Sequence, residues 1–290
     1  MINGSIPALI TPFRDGKVDE ARFQRFVDWQ IGEGSSALVP CGTTGESSTL
    51  SLEEHVRVVE LCVEAAGRRV PVIAGAGSND TATAVDLTRA AKEAGADAVL
   101  LVAPYYNRPS QEGLYQHYKA ISEAADIPMV IYNVPTRTVV DIAPETLGRI
   151  AKLANVIGVK DASGDLARVA RHRELCGENF IQLSGNDDTA VEFCELGGVG
   201  CISVTANVAP KLCAEMQAAL RAGDGARARA INAKLANLHR AMFVEPSPAP
   251  AKYAASLLDR ASEDVRLPII PCSDSAKAAV RAAMAEAGLL

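Results

Sequence analysis

Aromatic residues are scarce in this chain of 290 residues: one Trp, six Tyr and six Phe make up 4% of it. Histidine is scarcer, at four. His55, His117, His172 and His239 form no H-x-H, H-E-x-x-H or Cys/His cluster, so no metal site is expected. No apolar run approaches the roughly 18 residues of a membrane span, so no membrane partner is expected. Positive charge is not in excess: Lys plus Arg is 29 against 35 for Asp plus Glu, a net charge of −6. That balance argues against nucleic acid as a partner. The seven Cys (41, 62, 176, 194, 201, 213 and 272) are odd in number and never within three residues of each other. They read as free thiols in a reducing compartment and not as a disulfide framework. The opening MINGSIPALITPF has neither a basic n-region nor a long apolar h-region, so no signal peptide and a cytoplasmic location are expected.

What is present is ordinary globular composition, 48% apolar and 22% charged. One pattern recurs through it: a short apolar run ends in small or polar residues, and a helical segment follows. The runs are Ile6–Ile10, Ala37–Val39, Val70–Ala74, Ala98–Val102, Met129–Tyr132, Val156–Lys160, Phe180–Leu183 and Cys201–Val204. Most are continuous in Val, Ile, Leu and Ala, as in strands covered on both faces. Helix signals fill the gaps. Asp19 is placed to cap a stripe of Phe23, Phe26, Val27 and Ile31. Ser51 to Glu54 is a capping box ahead of Val56, Val59 and Val63, and Pro144 suits a first helical turn. Eight βα units predict a closed (β/α)8 barrel, and no G-x-G-x-x-G turn follows the first run to suggest an open doubly wound sheet. After Lys211 the chain turns Ala-rich and helical. The expected division is a barrel over 1–222 that carries the active site and a C-terminal helical domain over 223–290.

In such a barrel, chemistry sits at the carboxyl ends of the strands. Lys160 ends one run, and alternation gives it the face of Val156 and Gly158. If that face is interior, desolvation disfavours an ammonium and frees an amine for imine formation with a carbonyl. The alternative is a strand-end lysine paired to Asp161. Cys41-Gly-Thr-Thr-Gly-Glu46 is either a cradle for a carboxylate or a tight turn that caps a helix. Tyr105, Tyr106 and Tyr132 stand at the same rim, as proton relays or as structural aromatics. Arg137 suits a second carboxylate, or a surface salt bridge. Asp187 and Asp188 oppose a phosphorylated ligand after the seventh run.

Several segments together resemble the dihydrodipicolinate synthase branch of the pyruvate-dependent class I aldolases. They are Gly42-Thr-Thr-Gly-Glu-Ser47, Pro104-Tyr-Tyr-Asn-Arg-Pro109, Tyr132-Asn-Val-Pro-Thr-Arg-Thr138, Gly158-Val-Lys-Asp-Ala-Ser163, Ser184-Gly-Asn-Asp187 and Phe243-Val-Glu-Pro-Ser-Pro248. The resemblance implies that Lys160 forms an imine with pyruvate and that the resulting enamine adds to aspartate 4-semialdehyde. It implies a proton relay from Tyr132 through Thr44 to Tyr106, with Tyr106 supplied by a neighbouring subunit of a homotetramer built as a dimer of dimers. Thr43 and Thr44 would hold the pyruvate carboxylate, Arg137 the carboxylate of the aldehyde, and Gly185 and Ile202 would flank pyruvate. Neither cofactor nor metal is implied. A sialic acid or 2-keto-3-deoxy sugar-acid lyase shares the Lys and Tyr, but Arg137 and the Tyr105-Tyr106 pair favour a small acidic aldehyde. A non-catalytic binding barrel would have no need of Lys160, Tyr132 and Thr44 together.

Two departures stand out. Asp161 replaces a Glu common among such enzymes. In the pocket where some of them bind inhibitory lysine, Ser47, His55, Asn79 and Tyr105 match, but Leu52 and Thr83 replace a His and a Glu. Weak or absent lysine feedback is expected, because an ammonium loses its carboxylate partner.

Overall fold

The computed structural model describes residues 2–290. Seven parallel strands lie side by side in the order Gly4–Pro7, Gly200–Ser203, Ile181–Ser184, Val156–Asp161, Met129–Asn133, Ala98–Val102 and Ile73–Gly75. The segment 37–39 closes the ring between the first and last of these. It does so through isolated parallel bridges, Ala8 to Val39 and Leu38 to Val72. Hydrogen bonds seal both seams: Val39 N–H donates to Pro7 O at 3.0 Å and Ile73 N–H to Leu38 O at 2.8 Å. The second run makes bridges rather than a ladder because Pro40 and Pro71 flank the contact and neither has an N–H to donate. The (β/α)8 barrel is therefore complete.

The local signals act as chemistry dictates. The Asp19 side chain accepts from Arg22 N–H, and Ser51 and Glu54 cap the Leu52–Ala66 helix reciprocally. That helix buries Val58, Val59, Cys62 and Ala66, a face turned from the expected Val56–Val59–Val63 stripe. Pro144 opens the Pro144–Ile150 helix. A small hairpin, Phe13–Arg14 with Lys17–Val18, stands outside the eight βα units. Its turn is Asp15-Gly16, both at positive φ (52° and 75°), the conformation an Asp-Gly hairpin turn favours.

Alternation along Val156–Asp161 is interrupted. Pairing steps from Met129–Val156 to Val130–Gly158, so Ile157 is an extra residue. Val156 consequently packs in the outer core between strands and helices, while Ile157 packs against the barrel interior. This corrects the expectation that Val156 shares the face of Lys160. The interior holds Ile6, Val39, Leu100, Val130, Tyr132 and Leu183. Three helices follow the barrel's last: Gly225–Ala241, Ala249–Leu257 and Asp274–Glu286. They pack on one another and on the barrel, and their apolar side chains (Leu235, Leu238, Ala251, Val280) join the outer core. The segment between the first two reaches back over the mouth of the barrel.

Candidate active site

Lys160 and Tyr132 stand side by side on neighbouring strands, in register. Lys160 is 6% exposed, and its Nζ lies 4.0 Å from the centre of the Tyr132 ring. Among the described residues no carboxylate comes within ion-pair distance of that Nζ. Asp161 points the other way: its Oδ1 accepts from Ser163 N–H at 2.7 Å, and its Oδ2 is 4.0 Å from His172 Nδ1. The alternative reading of Lys160 as the partner of Asp161 therefore fails on geometry, since adjacent strand residues face opposite sides. His172 is buried, and that burial lowers its pKa, so behind the lysine strand it stays neutral at physiological pH.

The two residues open into a cleft of about 350 Å³ at the carboxyl ends of the strands. Thr43, Thr44, Arg137 and Gly185 share its walls with Val134, Asn186 and Val204. Thr43 and Thr44 sit in a loop bent by two non-glycine residues in the left-handed region, Cys41 (φ 55°) and Glu46 (φ 56°). Within that turn Gly45 N–H donates to Gly42 O, and Glu46 N–H to Thr43 O, both at 3.1 Å. Among the described residues no acceptor engages the N–H of Thr43 or Thr44. Two free donors and two hydroxyls on one rim suit a carboxylate. Burial pushes the Cys41 thiol up, which holds it in the unreactive thiol form.

Gly185 is glycine for a steric reason. A Cβ there would lie 2.7 Å from Ala162 Cβ and 3.2 Å from Lys160 Cε. Gly185→Ala should push the lysine aside and lower the rate of pyruvate trapping by about tenfold or more, since small misplacements of reacting groups are costly. Trapping at the wild-type rate would contradict this.

Arg137 is exposed, lines the cleft, and makes no ion pair with the described residues, which removes the surface salt bridge as its explanation. Two expected residues lie elsewhere. Ile202 is buried in the interior layer with Ile6 and Leu183, beneath the cleft. Tyr106 is 89% exposed, at φ 71°, and does not line the cleft. Tyr105 lines a neighbouring pocket. Of the three rim tyrosines, one chain brings only Tyr132 to Lys160. Asp187 is structural, accepting from Val204 N–H at 2.9 Å and Thr205 N–H at 3.1 Å. Asn186, which follows a strand end, lines the cleft as that position predicts; Thr136, Phe243 and Ser247 line it too but carry no spacing signal, and the last two come from beyond the barrel. Only the resemblance of the Phe243–Pro248 segment points to Phe243 and Ser247.

An unpaired lysine at the mouth of a barrel, facing donors for a carboxylate, is equipped to condense with a keto acid. The fold and site define the class of imine-forming barrel aldolases. The chain belongs to the dihydrodipicolinate synthetase family, whose model matches residues 1–287. It is 60% identical over 290 residues to the 4-hydroxy-tetrahydrodipicolinate synthase of Rhodospirillum centenum, covering all of both chains. It is 59% identical over 291 residues to that of Sphingopyxis alaskensis, again covering all of both. The crystal structure of the dihydrodipicolinate synthase from Acinetobacter baumannii complexed with pyruvate matches with a TM-score of 0.98 at 45% identity, over 100% of each chain.

Proposed function

We propose that this chain is a lyase that condenses pyruvate with L-aspartate 4-semialdehyde to 4-hydroxy-tetrahydrodipicolinate, the first committed step of the diaminopimelate route to lysine. The observation that carries the reading is Lys160: buried, unpaired, and open to a cleft large enough for both substrates. Its amine adds to the keto carbon of pyruvate and water leaves, giving the imine. Loss of a methyl proton gives the enamine, whose carbon adds to the aldehyde. The amine of the aldehyde substrate then attacks the imine carbon, closing the ring and freeing Lys160. Thr43 and Thr44 hold the pyruvate carboxylate, Gly185 keeps room for the lysine stem, and Ile202 supports pyruvate from below. Arg137 takes the carboxylate of the aldehyde substrate.

Tyr132 handles protons, through Thr44, with Tyr106 as the outlet. The exposure of Tyr106 supports the view that it serves the cleft of a second copy, in a homotetramer assembled as a dimer of dimers. Leu52, Tyr105 and Val139 are exposed apolar residues that would be covered in such an assembly. The free state of all seven thiols fits a reducing cytoplasm. No helix among the described residues is long and apolar enough to cross a membrane.

A coupled assay over a panel of aldehydes tests the reading. Turnover with aspartate 4-semialdehyde and none with sugar aldehydes is expected; the reverse would make the chain a sugar-acid lyase. A second expectation concerns feedback. Ser47, Leu52, His55, Thr83 and Tyr105 line a pocket of about 480 Å³ that shares Thr43 and Arg137 with the cleft. No carboxylate is among its lining residues, so a lysine ammonium finds no countercharge there. Lysine should inhibit weakly or not at all, and half-inhibition at sub-millimolar lysine would contradict this.

A further inference from the structure

The chain buries a second lysine that the chemistry above does not use. Lys252, in the Ala249–Leu257 helix, is 0% exposed. Its Nζ lies 2.5 Å from Glu46 Oε1, donates to Asp264 O at 2.7 Å, and rests 3.9 Å from the centre of the Phe13 ring. Glu46 is the last residue of the loop that carries Thr43 and Thr44, and it too is buried. Its other oxygen, Oε2, accepts from Arg266 N–H at 2.9 Å. Arg266 in turn grips Glu54 with two hydrogen bonds of 2.6 Å and donates to Thr49 O at 2.8 Å. Both oxygens of Glu46 are thus held by the C-terminal region.

The backbone explains why such a hold is needed. Glu46 occupies the left-handed region at φ 56°, which non-glycine residues avoid unless their surroundings impose it. Its N–H donates to Thr43 O, so the position of Glu46 sets the carbonyl of Thr43 and with it the plane of that peptide, whose N–H belongs to Thr44.

We propose that Glu46 and Lys252 are positioning residues for pyruvate: their buried ion pair lets the C-terminal helices fix the loop that presents Thr43 and Thr44 to the pyruvate carboxylate. The proposal rests on the synthase reading. Breaking the pair should weaken pyruvate and leave the aldehyde substrate, held by Arg137, nearly untouched. The pair also has an alkaline limit. Burial lowers the Lys252 pKa to about 8, against the opposing pull of Glu46 and Asp264, while Arg266 adds to the lowering. Below that pH the lysine carries its charge; above it the lysine is neutral and its hold on Glu46 weakens.

The test is the KM for pyruvate as a function of pH, in wild type, in Glu46→Gln and in the double variant Glu46→Gln/Lys252→Met, with the aldehyde KM measured alongside. Wild type should show a pyruvate KM that rises as pH passes about 8. Glu46→Gln should raise the pyruvate KM by about tenfold at neutral pH, the scale of one charge-assisted hydrogen bond, with little change for the aldehyde. The double variant should lack the alkaline rise. A flat wild-type profile, an unchanged pyruvate KM in folded Glu46→Gln, equal shifts in both KM values, or a rise that persists in the double variant would each overturn the proposal. If the double variant does not fold, wild type and Glu46→Gln decide the matter. Borohydride trapping of pyruvate on wild type separates the two readings: no adduct defeats the synthase, whereas an adduct with a flat pyruvate KM defeats only the positioning role.

Discussion

Lys160→Ala will yield a folded barrel that has lost turnover by on the order of 10⁴-fold or more, the scale seen when a covalent nucleophile is removed. The fold should tolerate the change. Lys160 has no ion-pair partner among the described residues, so its removal strands no buried charge, and what is lost is packing and the contact with the Tyr132 ring. Such contacts are worth about 0.5–2 kcal/mol. Thermal unfolding should therefore shift by only a few degrees while kcat collapses. Lys160→Arg should fare no better: a guanidinium keeps the positive charge and the ring contact but cannot offer a free amine. Appreciable turnover by Lys160→Arg would mean that charge, and not imine formation, is what the site supplies.

Tyr132→Phe comes next in expected size. The phenyl ring remains beneath Lys160 Nζ, so the lysine keeps its seat, and only the hydroxyl is removed. A positioned proton donor contributes about 10²–10⁴-fold, and kcat should fall within that range. The imine with pyruvate should still form, more slowly, and still be trapped by reduction. Retained adduct with lost turnover separates a proton-handling role from a structural one. Turnover within threefold of wild type would leave Tyr132 as an aromatic floor.

Much of the barrel is legible in the apolar runs, because strands covered on both faces have little else in them. The runs could not show that Ala37–Val39 would bridge rather than pair, which Pro40 at its own end and Pro71 on the neighbouring segment decide. Nor could they show that an extra residue, Ile157, re-aims the strand ahead of Lys160. The Asp15-Gly16 hairpin was within reach, since that dipeptide is its own signal. At the site, Lys160, Tyr132, Thr43, Thr44, Arg137 and Gly185 converge because strand ends and the loops after them share one rim. Tyr106 does not join them within one chain. Phe243, Ser247 and Lys252 arrive from the helical region, and no local period marks which of its side chains will reach back across the barrel. The loop sequence around Glu46 suits a cap or a cradle, yet both its oxygens are bound to residues far along the chain.

Catalysis here turns on one covalent bond, between Lys160 and pyruvate. Incubation with pyruvate and borohydride, followed by peptide mass analysis, should place a reduced adduct on the peptide that contains Lys160. Folded protein with no adduct, or an adduct on Lys252 in its place, would contradict it.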